Sequence, residues 1–309
     1  MNEHSNIRKI DITATFECLG ALLFWTLAPI FITYLAGHID SYTQNFLRYL
    51  TACLFLLPFL LLSIRKKQFD KSTWLKAIFP AAANLTMQSL YAASFYYISP
   101  GFLILLLKLN VVWTALFSLI FFLDERPLAK SKRFWSGMIL SVAGVVGVMY
   151  YKKDFAQIKT ITGISLTIGA SLAFAVYAIS VKIAFKKTDS RQAFAVTSIY
   201  TTIGLLILTF TLGDIKGSFS LDTWQWACVV ISAITGIALG HPLYYAAMRR
   251  IGATIPLLIL LAQPFCVLAI SHFVFKESMN IPQLLSGGVL LTGSAIAIWA
   301  QQHLKKTVS

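Results

Sequence analysis

Charge is scarce in this chain. Asp and Glu number only 12 in 309 residues, and charged residues of both signs make up 12% against 57% hydrophobic ones. A soluble domain carries about 25% charged residues, so with a mean hydropathy of +0.73 a water-soluble protein of this length is excluded. Long polar stretches are missing too. The loops between apolar runs are too short to fold as an enzymatic, nucleotide-binding or nucleic-acid-binding domain. The four cysteines, Cys18, Cys53, Cys228 and Cys266, lie in apolar segments without CxxC or Cys/His spacing, which argues against a disulfide framework and a zinc site. HExxH, GxSxG and paired aspartates are absent, so an intramembrane enzyme would lack its acid–base pair or metal ligands. No metal or cofactor is expected.

What the chain has is apolar length. A membrane-crossing helix needs about 20 mostly apolar residues, and such runs fall near 12–35, 41–64, 74–98, 101–123, 134–151, 161–185, 192–213, 224–248, 252–275 and 281–302. The expected fold is an all-α integral membrane protein of ten transmembrane helices. Arg8 and Lys9 precede a first run too long for a signal-peptide core, and no small-residue cleavage site follows, so the first helix is expected to stay uncleaved.

The formal charge of +14 raises the question of nucleic acid. Placed on ten spans, however, the basic residues separate by side. Arg65, Lys66, Lys67, Lys71, Lys76, Arg126, Lys130, Lys132, Arg133, Arg249 and Arg250 belong to one face, together with both tails and the loop after span six. Only Lys152, Lys153, Lys159, Lys216 and Lys276 fall on the other. This is the positive-inside pattern. It places both termini in the cytoplasm, makes the basicity topological and leaves no nucleic-acid partner to expect.

The second five spans echo the first five. Leu90-Tyr91-Ala92-Ala93 before Ile98-Ser99 matches Leu243-Tyr244-Tyr245-Ala246 before Ile251-Gly252. Phe121-Phe122-Leu123-Asp124-Glu125 matches Phe273-Val274-Phe275-Lys276-Glu277, and each is followed by a Ser-Gly pair, Ser136-Gly137 and Ser286-Gly287. Five is an odd number, so two such copies run in opposite directions through the bilayer, the layout of many secondary transporters. The repeats are expected over residues 12–151 and 161–302.

These segments resemble the drug/metabolite transporter superfamily, specifically its EamA-type ten-helix members. The likeness covers nearly the whole chain. It rests on Arg48-Tyr49 with Ala52 behind it, on the Glu closing spans four and nine with Gly about a dozen residues on, and on Pro264 thirteen residues before Glu277. Val112 stands where the first half would carry its proline, and Ser294 where a late Gly is common. The resemblance implies export of amino acids, other small metabolites or cationic drugs, and leaves the cargo open.

Charged and polar side chains at membrane depth call for a reason. Lys108 follows the run Phe102–Leu107, roughly 12 Å into span four at 1.5 Å per residue, with Asn110 two residues on. Its ammonium suits a substrate carboxylate or phosphate, or snorkels to the interface. Arg48 in span two invites the same question and reads first as structural. Lys182, a turn from the end of span six, reads as snorkelling. Glu17 is the one carboxylate well within a span, which makes it the candidate for coupling to protons; the alternative is pairing with a basic loop residue. Asn84, Gln88 and Tyr91 share one face of span three, and His241, Tyr244 and Tyr245 lie in the matching span eight, with Gln263 beside Pro264 in span nine. Both faces are candidates for a central cavity, or else serve as helix–helix glue. Trp25, ahead of Pro29, adds an aromatic wall.

The sequence thus points to a carrier of a small molecule in the inner (plasma) membrane. An amino acid or similar zwitterion, exported by alternating access, is the leading cargo. A cationic-drug exporter would call for more carboxylates in the spans. A channel or a non-transporting membrane protein are the alternatives from other classes.

Overall fold

The computed structural model describes residues 11–185, 188–251 and 254–308, all in helices and short connections. Span one is α1 (Ile12–Leu35), followed by α2 (Ser41–Arg65) and α3 (Ser72–Ser94). Span four is two helices, α4 (Pro100–Leu107) and α5 (Leu109–Phe121), and span five is α6 (Lys132–Tyr150). The second half opens with α7 (Ile158–Ala184) and α8 (Ser190–Leu212). Span eight runs through α9 (Thr223–Ala233), a π-helical segment (Ile234–Leu239) and α10 (Gly240–Ile251). Span nine is α11 (Thr254–Leu260) with α12 (Gln263–Phe275), and span ten is α13 (Ile281–Val308).

Among the described residues, nine helical stretches are long and apolar enough to cross a membrane. The tenth expected span, α3, is of similar length, but Lys76, Asn84 and Gln88 dilute its apolar character. Spans four, eight and nine, which the apolar runs portray as unbroken, are interrupted or widened. Large apolar side chains such as Phe16, Phe79, Ile139, Phe210 and Phe273 are exposed around the outside of the bundle, as lipid requires and water would penalise.

The few acids are spent mainly at helix starts, where four N–H groups lack helical partners. Asp11 accepts from Ala14 N, Asp40 from Tyr42 and Thr43 N, and Asp189 from Arg191 N. Asp222 and Gln225 form a reciprocal capping box. Each such cap contributes about 1 kcal/mol. Asp70, just before α3, accepts from the hydroxyl and the N–H of Ser72, which hold its carboxyl below the usual carboxylate range.

The packing between the halves is swap-symmetric. Span three lies on span six as span eight lies on span one, span three on span seven as span eight on span two, and span four on span six as span nine on span one. Spans two and seven, four and nine, and five and ten pair with their own counterparts. Two apolar cores result. One gathers residues of α4, α5, α6, α12 and α13 around Phe102, Leu106, Phe134 and Leu290. The other gathers α2, α8 and α9 around Tyr49, Leu205 and Val229.

The closest helix contact is α6 on α13. A Cβ on Gly144 would sit 2.3 Å from Leu290 N, one on Gly137 2.6 Å from Ala297 N, and one on Gly293 2.5 Å from Ser141 N. Ser141 and Ser294 share a hydrogen bond across the seam at 3.2 Å. Small residues let backbones touch in a membrane, where dispersion rather than water drives association. Gly144→Leu is therefore expected to lower the thermal unfolding temperature of the purified protein, by a loss of at least about 1–3 kcal/mol typical of overpacking. Gly288→Leu, whose Cβ meets nothing within 4 Å, is expected to leave it unchanged.

Candidate functional site

Spans four and nine break at corresponding places. Each ends in a helix of 13 residues, Leu109–Phe121 and Gln263–Phe275, and before each the chain tightens into i−3 bonds. Lys108 N donates to Leu105 O at one break, while Leu261 and Ala262 N donate to Leu258 and Ile259 O at the other. Pro264 explains the second break, because its ring excludes the carbonyl of Leu260 from the helical ladder. Measured from the helix ends, Asn110 rather than Val112 stands opposite Pro264. The connection after span four is longer, which shifts a count made from the Glu. Pro242 acts similarly in span eight, where the helix upstream widens into its π segment.

A cavity of about 660 Å³ lies where these interruptions meet, within the 300–1,000 Å³ common for small-molecule sites. One hydrogen-bonded rail runs along its wall. Lys108 Nζ donates to Gln263 Oε1 at 2.9 Å, Gln263 Nε2 donates to Trp25 O at 2.7 Å, and Trp25 Nε1 donates to Gly236 O at 3.0 Å. Four spans are joined by three bonds. Trp25 also packs against His241 and Tyr244, with ring centroids 5.1 Å away in each case, and His241 stacks on Phe194 at 4.6 Å.

Lys108 is buried, at 9% exposure, so snorkelling is not its solution. It sits at the C-terminal end of α4, where the unpaired carbonyls favour a cation, and its bonded partner is neutral. Asn110, Gln88, Tyr91, His241, Tyr244, Gln263 and Trp25 share the wall with it. Asn84 does not. It donates to Tyr49 Oη at 3.1 Å and Thr201 Oγ1 at 2.9 Å, tying α3 to α2 and α8. The side chain of Tyr245 lies outside the described residues. Glu17 is also away from the wall, with Oε2 3.4 Å from Arg250 Nε.

The wall holds residues the sequence reading set aside. Arg48 lines the cavity, and its Nε donates to Ser232 Oγ at 3.0 Å. Lys182, expected to snorkel, donates instead to Glu125 Oε1 at 2.7 Å and lies 3.6 Å over the Phe122 ring. Glu125 is buried and accepts from Gln301 Nε2 at 2.5 Å as well. A glutamate at a helix end reads as a turn residue in sequence; only the fold brings α7 and α13 against it.

The two ends of the cavity differ. Along span four the wall runs from Ile104 through Ser118, and it reaches Glu125, Lys182 and Gln301, with half-exposed Lys182 at the surface. At the opposite end, Glu277 stands at the position matching Glu125 and is fully engaged. It accepts from Ser99 Oγ at 2.5 Å, from the N–H groups of Gly101 and Phe102 at 2.9 and 3.0 Å, and from Ser271 Oγ. It thereby caps α4 and seals spans four and nine together. The lining thus reaches half-exposed Lys182 at the Glu125 end and does not include Glu277.

The profile of the EamA-like transporter family matches residues 13–150 and again 161–299. A protein of Archaeoglobus fulgidus described as an uncharacterized transporter is 25% identical over 286 residues, spanning 90% of this chain and 93% of its own. A crystal structure of a protein superposes with a TM-score of 0.65 over 94% of this chain and 98% of the other at 13% identity, a likeness of fold alone.

The rail makes a stability prediction. Gln263→Leu removes the acceptor of Lys108 Nζ and the donor to Trp25 O, leaving a buried ammonium unpaired. A loss of about 1–3 kcal/mol is expected, seen as a lowered unfolding temperature in detergent, with Gln263→Glu retaining more of it than Gln263→Leu.

Proposed function

The chain belongs to the EamA-like transporter family and is a multi-pass transporter of the cell membrane rather than an enzyme; from that footing we propose that it exports an amino acid or a related small carboxylate by alternating access. The observation carrying this reading is Lys108, a buried ammonium at a helix break with only a neutral amide bonded to it. Discontinuous helices at matching places in two repeats are where carriers of this design bind substrate. The N-termini of α5 and α12 begin at the two breaks and add partial positive charge there. Trp25, Tyr91 and Tyr244 line the cavity, and aromatic rings suit a substrate ammonium.

Swap-symmetric pairing and five spans per half support two inverted repeats, over residues 12–151 and 161–302. The charge asymmetry of the loops supports cytoplasmic termini. In that orientation the Glu125 end of the cavity faces the cytoplasm, and the conformation is inward-facing. Export then loads cargo past Glu125 and Lys182 and releases it once the seal at Glu277 opens and spans four and nine part. Asn84 serves as helix glue in this reading, and Tyr245 is left with span eight.

Two experiments test this. In proteoliposomes, saturable counterflow of a labelled amino acid is expected with the wild-type protein and is expected to fall to the protein-free level with Lys108→Ala, while that variant keeps the wild-type size-exclusion profile. Full exchange by Lys108→Ala would remove its role; no exchange with any amino acid would move the cargo to cationic drugs or phosphorylated metabolites.

Proton coupling through Glu17 is tested separately. Its pairing with Arg250 supports a fastening role between α1 and α10, so Glu17→Gln is expected to keep the response of flux to an imposed pH gradient and to lower the unfolding temperature. Loss of that response would restore Glu17 as the coupling group.

A further inference from the structure

Arg48 is the group the mechanism above leaves unused. It lies on α2, is 3% exposed and lines the same cavity as Lys108. Its Nε is satisfied by Ser232, but Nη1 is buried without any hydrogen-bond partner. Among the described residues no carboxylate lies within ion-pairing distance of it. A guanidinium presents its donors as a planar fork that matches a carboxylate or phosphate. Leaving it unneutralised in a membrane interior is expensive unless something anionic arrives.

The position is built rather than accidental. Arg48 Nη2 faces Gly236, where an added Cβ would come within 3.6 Å of it, and Gly236 is the residue whose carbonyl holds Trp25. Arg48 therefore stands next to one end of the rail and Lys108 forms the other, so the two cations border one aromatic-lined volume from opposite ends of a shared set of bonds. The acidic side chain on the wall, Glu125, is at the mouth and already engaged by Lys182 and Gln301. Between Arg48 and Lys108 the wall is cationic with no matching anion.

We infer that the cargo carries two anionic groups, one received by Arg48 and the other by Lys108: an acidic amino acid or a phosphorylated one. This rests on the carrier reading and narrows it. A neutral zwitterion would satisfy Lys108 and leave Arg48 as it stands, whereas a second carboxylate or phosphate neutralises both cations.

The test compares isosteric pairs in proteoliposomes, glutamate against glutamine for the carboxylate and phosphoserine against serine for the phosphate, in wild type, Arg48→Gln and Arg48→Lys. In wild type, the anionic member of at least one pair is expected to show a KM for counterflow at least tenfold below its neutral partner; the pair that does so tells carboxylate from phosphate. Arg48→Gln is expected to raise that KM tenfold or more while leaving the neutral partner's unchanged, and Arg48→Lys to recover part of it. Saturable counterflow that favours the neutral members, or that Arg48→Gln weakens equally for both members of a pair, would overturn the inference while leaving the carrier intact. Absence of counterflow for all four compounds while another labelled amino acid exchanges would overturn the inference alone; absence with every amino acid would remove the amino-acid reading as well. Should Arg48→Gln fail to fold, the wild-type ratios alone decide.

Discussion

Inside a bilayer no water is available to satisfy a polar group, and that requirement organises this protein from end to end. Backbone N–H and C=O groups are paired within helices wherever the chain meets lipid. Among the described residues the ladder tightens at Lys108 and at Leu261 and Ala262, and widens in the π segment of span eight, all beside the cavity. The same requirement explains the economy of acids. Asp11, Asp40, Asp189 and Asp222 cap helix starts, while the glutamates that go deeper, Glu17, Glu125 and Glu277, each meet cations or several donors. At Arg48 the requirement is met only in part, and Arg48 lines the cavity.

Much of this was legible in the residues. Apolar runs of membrane length gave the spans, and the echo between Leu90-Tyr91-Ala92-Ala93 and Leu243-Tyr244-Tyr245-Ala246 gave the halves. Helical spacing put Gln88 and Tyr91 on one face, and a lysine behind a run of six apolar residues marked the middle of span four. Periodicity reports a face but not how far along the helix that face borders open space. The wall begins at Met87 on α3, and one turn earlier the same face meets α2 and α8, so Asn84 is consumed by Tyr49 and Thr201.

Contacts between distant segments were not legible. The bond from Lys108 to Gln263 crosses 155 residues of chain, and that from Gln263 to Trp25 crosses 238. Nothing local in either sequence announces them. The roles of Glu125 and Glu277 were hidden for a related reason. Both end a span and read as turn residues, but Glu277 caps α4 while Glu125 holds Lys182 and Gln301 against the cavity wall.

The swap-symmetric packing of the two halves has a thermodynamic corollary. If the halves were identical in sequence, exchanging their conformations would return the same molecule turned over, and the open-inward and open-outward forms would have equal free energy. Any resting preference must therefore come from positions where the halves disagree. Lys108 opposite Ala262, Asn110 opposite Pro264, and Glu125 and Glu277 with their unlike partners are such positions. On the alternating-access reading proposed above, the poise of the carrier, and with it the direction in which an unloaded molecule waits, is written in its departures from symmetry.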